Sequence, residues 1–215
     1  MGRSARADGF TLVEVLLATV LLAAGLALAF ATLTAANGTV MRGERIATQG
    51  ERMRAVEGFV RRRLAGARHM AFESPEGEPP RRFAGEPDRV RFVADLPEYL
   101  GQGGPYLHDV RIERVRGDGG GVRLLLDLRM VLAGEALAHE PGRPPELLAE
   151  LRSATFRYRG LDEDGAAGPW QDRWDDAERL PLMVELELVG RDGRAWPPLT
   201  VALPQSVAPP PGESW

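Results

Sequence analysis

The sequence of 215 residues predicts an α+β protein in which one long N-terminal helix, transmembrane and then amphipathic, packs on an antiparallel β-sheet. Three observations predict it. An almost uninterrupted apolar run covers residues 10–36, and a polar stretch with helical rhythm follows over residues 37–72. Beyond residue 89 the pattern changes to short alternating runs separated by Gly- and Pro-rich turns.

The apolar run comes first. Its 27 residues would make about 40 Å of helix at roughly 1.5 Å per residue, and a bilayer core needs only about 20 apolar residues. A secretory signal has an apolar core of about 7–15 residues that ends in a small-residue cleavage site. Here the only plausible cut precedes the run, so the helix stays in the mature chain. One carboxylate, Glu14, interrupts the run. An acid within a membrane helix costs roughly 2.5–3.5 kcal/mol on insertion scales. Nothing in the packing of a single anchor repays that cost, so Glu14 is expected to serve a partner.

The amphipathic segment follows. Met53, Val56, Val60 and Leu64 recur at spacings of three and four, with Phe59 flanking, and form one apolar face. Arginines and glutamates fill the remainder, and Gly38, Gly43, Gly50 and Gly58 each weaken the helix by up to roughly 1 kcal/mol. Residues 73–88, rich in Pro, Gly and Glu, are expected to be an exposed loop.

Strands are then expected at residues 89–96 and 107–116, the second with Val110 and Ile112 on one face. A glycine-rich turn at 117–121 leads to a strand at 122–132, where Leu124, Leu126, Leu128, Met130 and Leu132 alternate with Asp127 and Arg129. Residues 133–145 read as a linker, and 154–159 as a strand with Phe156 and Tyr158 on one face. Residues 183–189 alternate Val184, Leu186 and Leu188 with Glu185 and Glu187. Asp192-Gly193 signals a hairpin turn, and a strand at 196–203 closes the sheet, Pro197 and Pro198 placing its start at an edge. The tail, 204–215, reads as disordered.

Composition narrows the function classes. The net charge of −4 supplies no basic field for nucleic acid. All 27 basic residues are arginine, and no function is drawn from that bias. Without cysteine, thiol nucleophiles, zinc fingers and disulfides drop out. His69, His108 and His139 lie on unrelated elements without ligand spacing and read as surface residues. The acids Asp162, Glu163 and Asp164, and Asp172, Asp175 and Asp176, match no EF-hand loop and read as solvated turns rather than a calcium site. Trp170 and Trp174 read as core packing or a lid over the sheet. Serine-hydrolase, phosphate-loop and metalloprotease motifs are missing, and the glycine run at 117–121 joins two strands rather than a strand to a helix. The chain reads as a structural protein without cofactor or metal, not an enzyme.

The stretch Gly9-Phe10-Thr11-Leu12-Val13-Glu14, after a short leader bearing Arg3 and Arg6, resembles the processing site of type IV prepilins and type II secretion pseudopilins. The resemblance implies a pilin-like fold, peptidase cleavage between Gly9 and Phe10, N-methylation of Phe10, and a role for Glu14 in subunit assembly. It also implies a leader (1–9), a transmembrane assembly helix (10–36), its amphipathic continuation (37–72), a periplasmic β-rich domain (73–203) and the tail (204–215). Arg3 and Arg6 favour a cytoplasmic leader, although more arginines follow the helix than precede it; the resemblance decides for a periplasmic domain on an inner-membrane anchor.

Chain length, Glu14, and Trp170-x-x-x-Trp174 followed by Leu180-Pro181 and Asp192-Gly193-Arg194-Ala195-Trp196 resemble the J-type minor pseudopilin family. That implies other minor pseudopilins (I, K and H types), the major pseudopilin and the prepilin peptidase as partners, and a place at the pseudopilus tip. Two other readings stand beside it: a minor pilin of a type IV pilus or competence pseudopilus, and an anchored periplasmic enzyme or binding domain. Gene neighbours separate the first, and ligand-dependent stabilisation the second.

Overall fold

The computed structural model describes residues 11–96, 103–117, 120–138 and 144–205, with side chains of residues 35–49 left aside. Within these, the chain divides into two compact units, residues 1–52 and 53–215. The first is built on the helix α1, Leu12–Ala65, which carries Glu14 in its first turn and Arg62 and Arg63 in its last, as the helix dipole favours.

The second unit begins with the last turns of α1. Met53, Val56, Val60 and Leu64 are all buried there, as their spacing predicts, and Leu64 is 1% exposed. Burying such a side chain contributes about 1.5–3 kcal/mol. The helix ends at Ala65, short of residue 72, because Gly66 weakens it and the next residues pair with the sheet.

Ten strands follow: β1 (Ala67–Arg68), β2 (Phe83–Glu86), β3 (Arg89–Leu96), β4 (Gly104–Arg114), β5 (Val122–Leu132), β6 (Glu135–Ala136), β7 (Glu146–Leu161), β8 (Ala167–Gln171), β9 (Met183–Gly190) and β10 (Leu199–Ala202). They form one sheet in the order β1-β3-β4-β5-β7-β9-β10, with β2 on β3, β6 on β5 and β8 on β7, every pairing antiparallel. The expected bounds of β3 and β5 hold residue for residue. Alternation sorts each strand into two faces. Val90, Phe92, Val110, Ile112, Leu124, Leu126, Phe156, Val184 and Leu186 join the four helix residues in the main core. Phe72, Val93, Leu107 and Val131 form a smaller cluster of their own.

Four expectations need correction. Residues 73–88 are not all exposed loop: β2 pairs with β3 from Phe83↔Phe92 to Glu86↔Arg89, and Glu73 bridges Arg81. Phe83 is buried there despite its Pro- and Gly-rich surroundings. The strand foreseen at 154–159 is the second half of β7, whose first half pairs with β5 and whose second half pairs with β9. Register shifts at Leu124/Leu125 and Leu151/Ser153 break the alternation that would have revealed its length. The supposed linker 133–145 holds β6, and β8 was not foreseen at all. Finally, His108 is no surface residue. It is fully buried, stacked on Phe92 at 5.3 Å, with Nδ1 3.0 Å from the Tyr106 carbonyl. It occupies a core position because the alternation of β4 puts residues 108, 110 and 112 on one face, where a neutral imidazole packs like an aromatic ring.

The turn between β2 and β3 docks on the middle of β7. The Phe156 amide donates to the Pro87 carbonyl at 2.8 Å, and the Tyr158 hydroxyl donates to the Glu86 carbonyl at 2.8 Å, with the Arg89 carbonyl 3.2 Å away. Gly85 makes this approach possible, since a Cβ there would lie 2.5 Å from Tyr158 Cζ. Gly160 does the same for the Trp174 ring, whose Nε1 donates to the Arg179 carbonyl at 2.8 Å. Trp174 thus packs against the core edge, whereas Trp170 lies half-buried with the Arg159 guanidinium 5.8 Å from its ring centre. Arg89 also closes on Asp109 through two hydrogen bonds, of 2.8 and 2.6 Å, and Asp109 is only 2% exposed. That bond holds the Arg89 guanidinium above its ordinary range, and leaving Asp109 buried without it would be costly.

Two outcomes follow from this packing. Gly85→Ala should lower stability by about 2 kcal/mol, because Tyr158 must leave its place; urea melts of the detergent-solubilised chain would read it. Burial pushes the His108 imidazole down to about 4 from 6.5. Between those values only the unfolded chain takes the proton, so stability is complete above pH 6.5 and falls by up to about 3 kcal/mol as pH drops to 4. His108→Phe should flatten that decline in melts recorded across the same pH range.

Candidate functional site

Gly9 and Phe10 lie outside the described residues, which begin at Thr11. Thr11 stands immediately before α1 and caps it. Its carbonyl accepts from the Glu14 amide at 3.1 Å and the Val15 amide at 3.2 Å, and its Oγ1 also accepts from the Glu14 amide at 3.3 Å. A threonine three residues before a glutamate is a capping-box pattern. The reading from sequence missed this function of Thr11, although the Thr-x-x-Glu spacing was there to find. The cap satisfies an amide that would otherwise face hydrocarbon, and it fixes the backbone from which Glu14 projects.

Leu12–Thr34 is long and apolar enough to cross a membrane, with a mean hydropathy of 2.4 and its most apolar stretch not buried. Leu12 is 82% and Phe30 72% exposed. Soluble proteins rarely expose a contiguous apolar surface of this extent, so this one needs lipid or partner helices. The polar side chains along it mostly satisfy themselves. Thr19 donates to the Leu16 carbonyl at 2.9 Å, Thr32 to Ala29 at 2.8 Å, and Thr34 to Phe30 at 2.6 Å. Glu14 is the single ionisable side chain of the span, and it lies beside Val15, Ala18, Thr19 and Leu22 along one groove of the helix surface. Chemically, this is a surface for association, with one negative charge near the helix start.

The other candidates do not converge on a site. Asp162 Oδ1 accepts from the amides of Asp164 (3.1 Å) and Ala166 (2.7 Å), and Asp176 Oδ1 from those of Glu178 and Arg179, both at 3.0 Å. These acids shape their own turns. Among the described residues no group of three or more His, Cys, Asp or Glu is arranged to hold a metal ion. His69 has a ring nitrogen 3.0 Å from the Pro204 carbonyl, and His139 lies outside the described residues.

Comparison with known proteins places this helix and sheet. Residues 4–30 match the family model described as the prokaryotic N-terminal methylation motif. The whole chain is similar to type II secretion system protein J of Xanthomonas campestris pv. campestris, 50% identical over 204 residues, which is 94% of this chain and 95% of that protein. The chain belongs to the type II secretion system protein J family. An identity that covers nearly all of both chains extends through the sheet unit, so membership does not rest on the short motif alone. The N-terminal apolar helix and the prepilin-type motif together fit a single-pass inner-membrane protein.

Proposed function

We propose that this chain is a minor pseudopilin: a subunit cut between Gly9 and Phe10 by a prepilin peptidase, methylated on the new Phe10 amine, and assembled through its apolar helix. The observation that carries the reading is the coincidence of three features. The methylation motif covers residues 4–30, the membrane-length helix starts at Leu12 inside that motif, and near full-length similarity links the chain to a type II secretion protein. The leader is residues 1–9, the assembly helix starts at residue 10 and its amphipathic continuation ends at Ala65, the periplasmic β-rich domain follows to residue 203, and the tail is 204–215.

Glu14 is the working residue of the helix. Cleavage leaves an amine on Phe10, about one helical turn from the carboxylate. Among helices packed away from water an unpaired charge is expensive. The Glu14 carboxylate of an incoming subunit pairs with the Phe10 amine of its neighbour, and any other axial register leaves both charges unpaired. The partners on this reading are the I-, K- and H-type minor pseudopilins, the major pseudopilin and the peptidase, in the inner membrane. The chain sits at the pseudopilus tip, where it helps start assembly and so supports protein export across the outer membrane. Its activity is association rather than catalysis.

The mass of the N-terminal peptide after co-expression with a prepilin peptidase tests the processing. A methylated peptide starting at Phe10 is expected, whereas an intact Met1 or a cut elsewhere would reduce the helix to an ordinary anchor. Glu14→Ala should be processed normally yet lose about tenfold or more in incorporation with the other pseudopilins. Incorporation equal to that of the unaltered chain would rule out the charge-pairing role.

A further inference from the structure

Residues 42–63 carry seven arginines and three glutamates, a net charge of +4, whereas residues 64–215 carry 18 arginines against 26 acidic residues, a net of −8. The structure makes this asymmetry meaningful. Eleven arginines beyond the helix reach a carboxylate within 4.0 Å. Arg54, Arg61 and Arg62 are exposed on α1, and none of them has such a partner among the described residues. Arg61 gives one hydrogen bond to the Thr200 carbonyl at 3.1 Å and keeps its other donors free for a partner. Seven residues, nearly two full turns, separate Arg54 from Arg61, so they share a face, with Arg62 about 100° further round. The apolar line of Met53, Val56, Val60 and Leu64 lies on the buried side.

We propose that Arg54, Arg61 and Arg62 form a docking surface for a carboxylate-rich surface of a neighbouring pilin-like subunit. The proposal rests on the pseudopilin reading and names the chemistry by which this part of the chain meets its neighbours. Guanidinium groups fit carboxylates in a two-pronged geometry, and a helix holds three of them at set spacing before the partner arrives. No carboxylate among the described residues comes within ion-pair distance of these three cations, so their exposed charge is available to an acidic partner. Nineteen residues of sequence lie between Thr34, the last of the apolar span, and Arg54, which favours a protein partner over lipid headgroups.

The chain has no cysteine, so Ala55→Cys, exposed beside Arg54, supplies a unique thiol. Its maleimide labelling would be followed in membranes holding the full-length chain, with and without the co-expressed I-, K- and H-type and major pseudopilins. Co-expression should slow labelling about tenfold, and the protection should vanish with Arg54→Glu plus Arg62→Glu or in about 0.5 M salt. Arg54→Lys plus Arg62→Lys should retain most of it, with thermal melting unchanged in every variant.

Unchanged labelling despite co-purification of the pseudopilins would overturn the proposal, as would protection indifferent to charge reversal and salt. Salt-sensitive protection without the pseudopilins would also overturn it. In that case, dependence on the amount of this chain would assign the surface to a second copy, and dependence on anionic lipid content to the membrane. A chain that fails to co-purify with pseudopilins at all refutes the pseudopilin reading itself, an outcome distinct from loss of the arginine surface alone.

Discussion

Water rejects Leu12–Thr34. Twenty-three residues of apolar helix with none of that surface covered cannot persist as a free surface, so the segment must sit in lipid or against other apolar helices. Everything chemical about the span follows from that. Backbone amides and carbonyls in such a medium must be satisfied within the helix, and the Thr11 cap and the bonds from Thr19, Thr32 and Thr34 to preceding carbonyls extend that rule to its start and its hydroxyls. Glu14 is the charge left over. It lies in the first turn of α1, where the helix dipole favours an acid, inside the segment that matches the N-terminal methylation motif.

The sheet unit solves a different problem, which is how to keep ten strands in one antiparallel sheet. Its answer is the sixteen residues of β7, which pair with β5 along the first half and with β8 and β9 along the second. Where the pairing changes over, the turn between β2 and β3 fills the gap by bonding Pro87 and Glu86 to Phe156 and Tyr158. Gly85 and Gly160 are small because an aromatic ring lies where their side chains would be. The Arg89–Asp109 pair fastens the same hairpin to β4 from the other side of the sheet.

Much of this was legible from residue order, and what was not has identifiable causes. The bounds of β3 and β5 were legible because each is a dense apolar run flanked by Pro or Gly, although burial does not alternate cleanly: Phe92, Val93 and Ala94 are buried in succession, as are Leu124, Leu125 and Leu126. Where both faces are covered, or a bulge shifts the register, the period disappears, as in the first half of β7. Ala167-Gly168-Pro169-Trp170-Gln171 has the composition of a turn and becomes β8 only because β7 offers an open edge. His108 is polar by type, yet its place in the β4 alternation puts it in the core, and its imidazole finds both a carbonyl and an aromatic face there. Composition could not have said that; the alternation of residues 108, 110 and 112 could.

The order of residues by itself determined the apolar span, its lone acid, the apolar face of the helix beyond it and the alternating strands, because each is a local pattern with a period that chemistry enforces. The resemblance of residues 9–14 to a prepilin processing site was equally local. Only the tertiary structure decided which strand neighbours which, that Phe83 is core, that Asp109 pairs with Arg89, and that Arg54, Arg61 and Arg62 are exposed without a carboxylate partner among the described residues. These are contacts between residues far apart in the chain. No local period encodes them, and they exist only once the strands have paired on either side of β7.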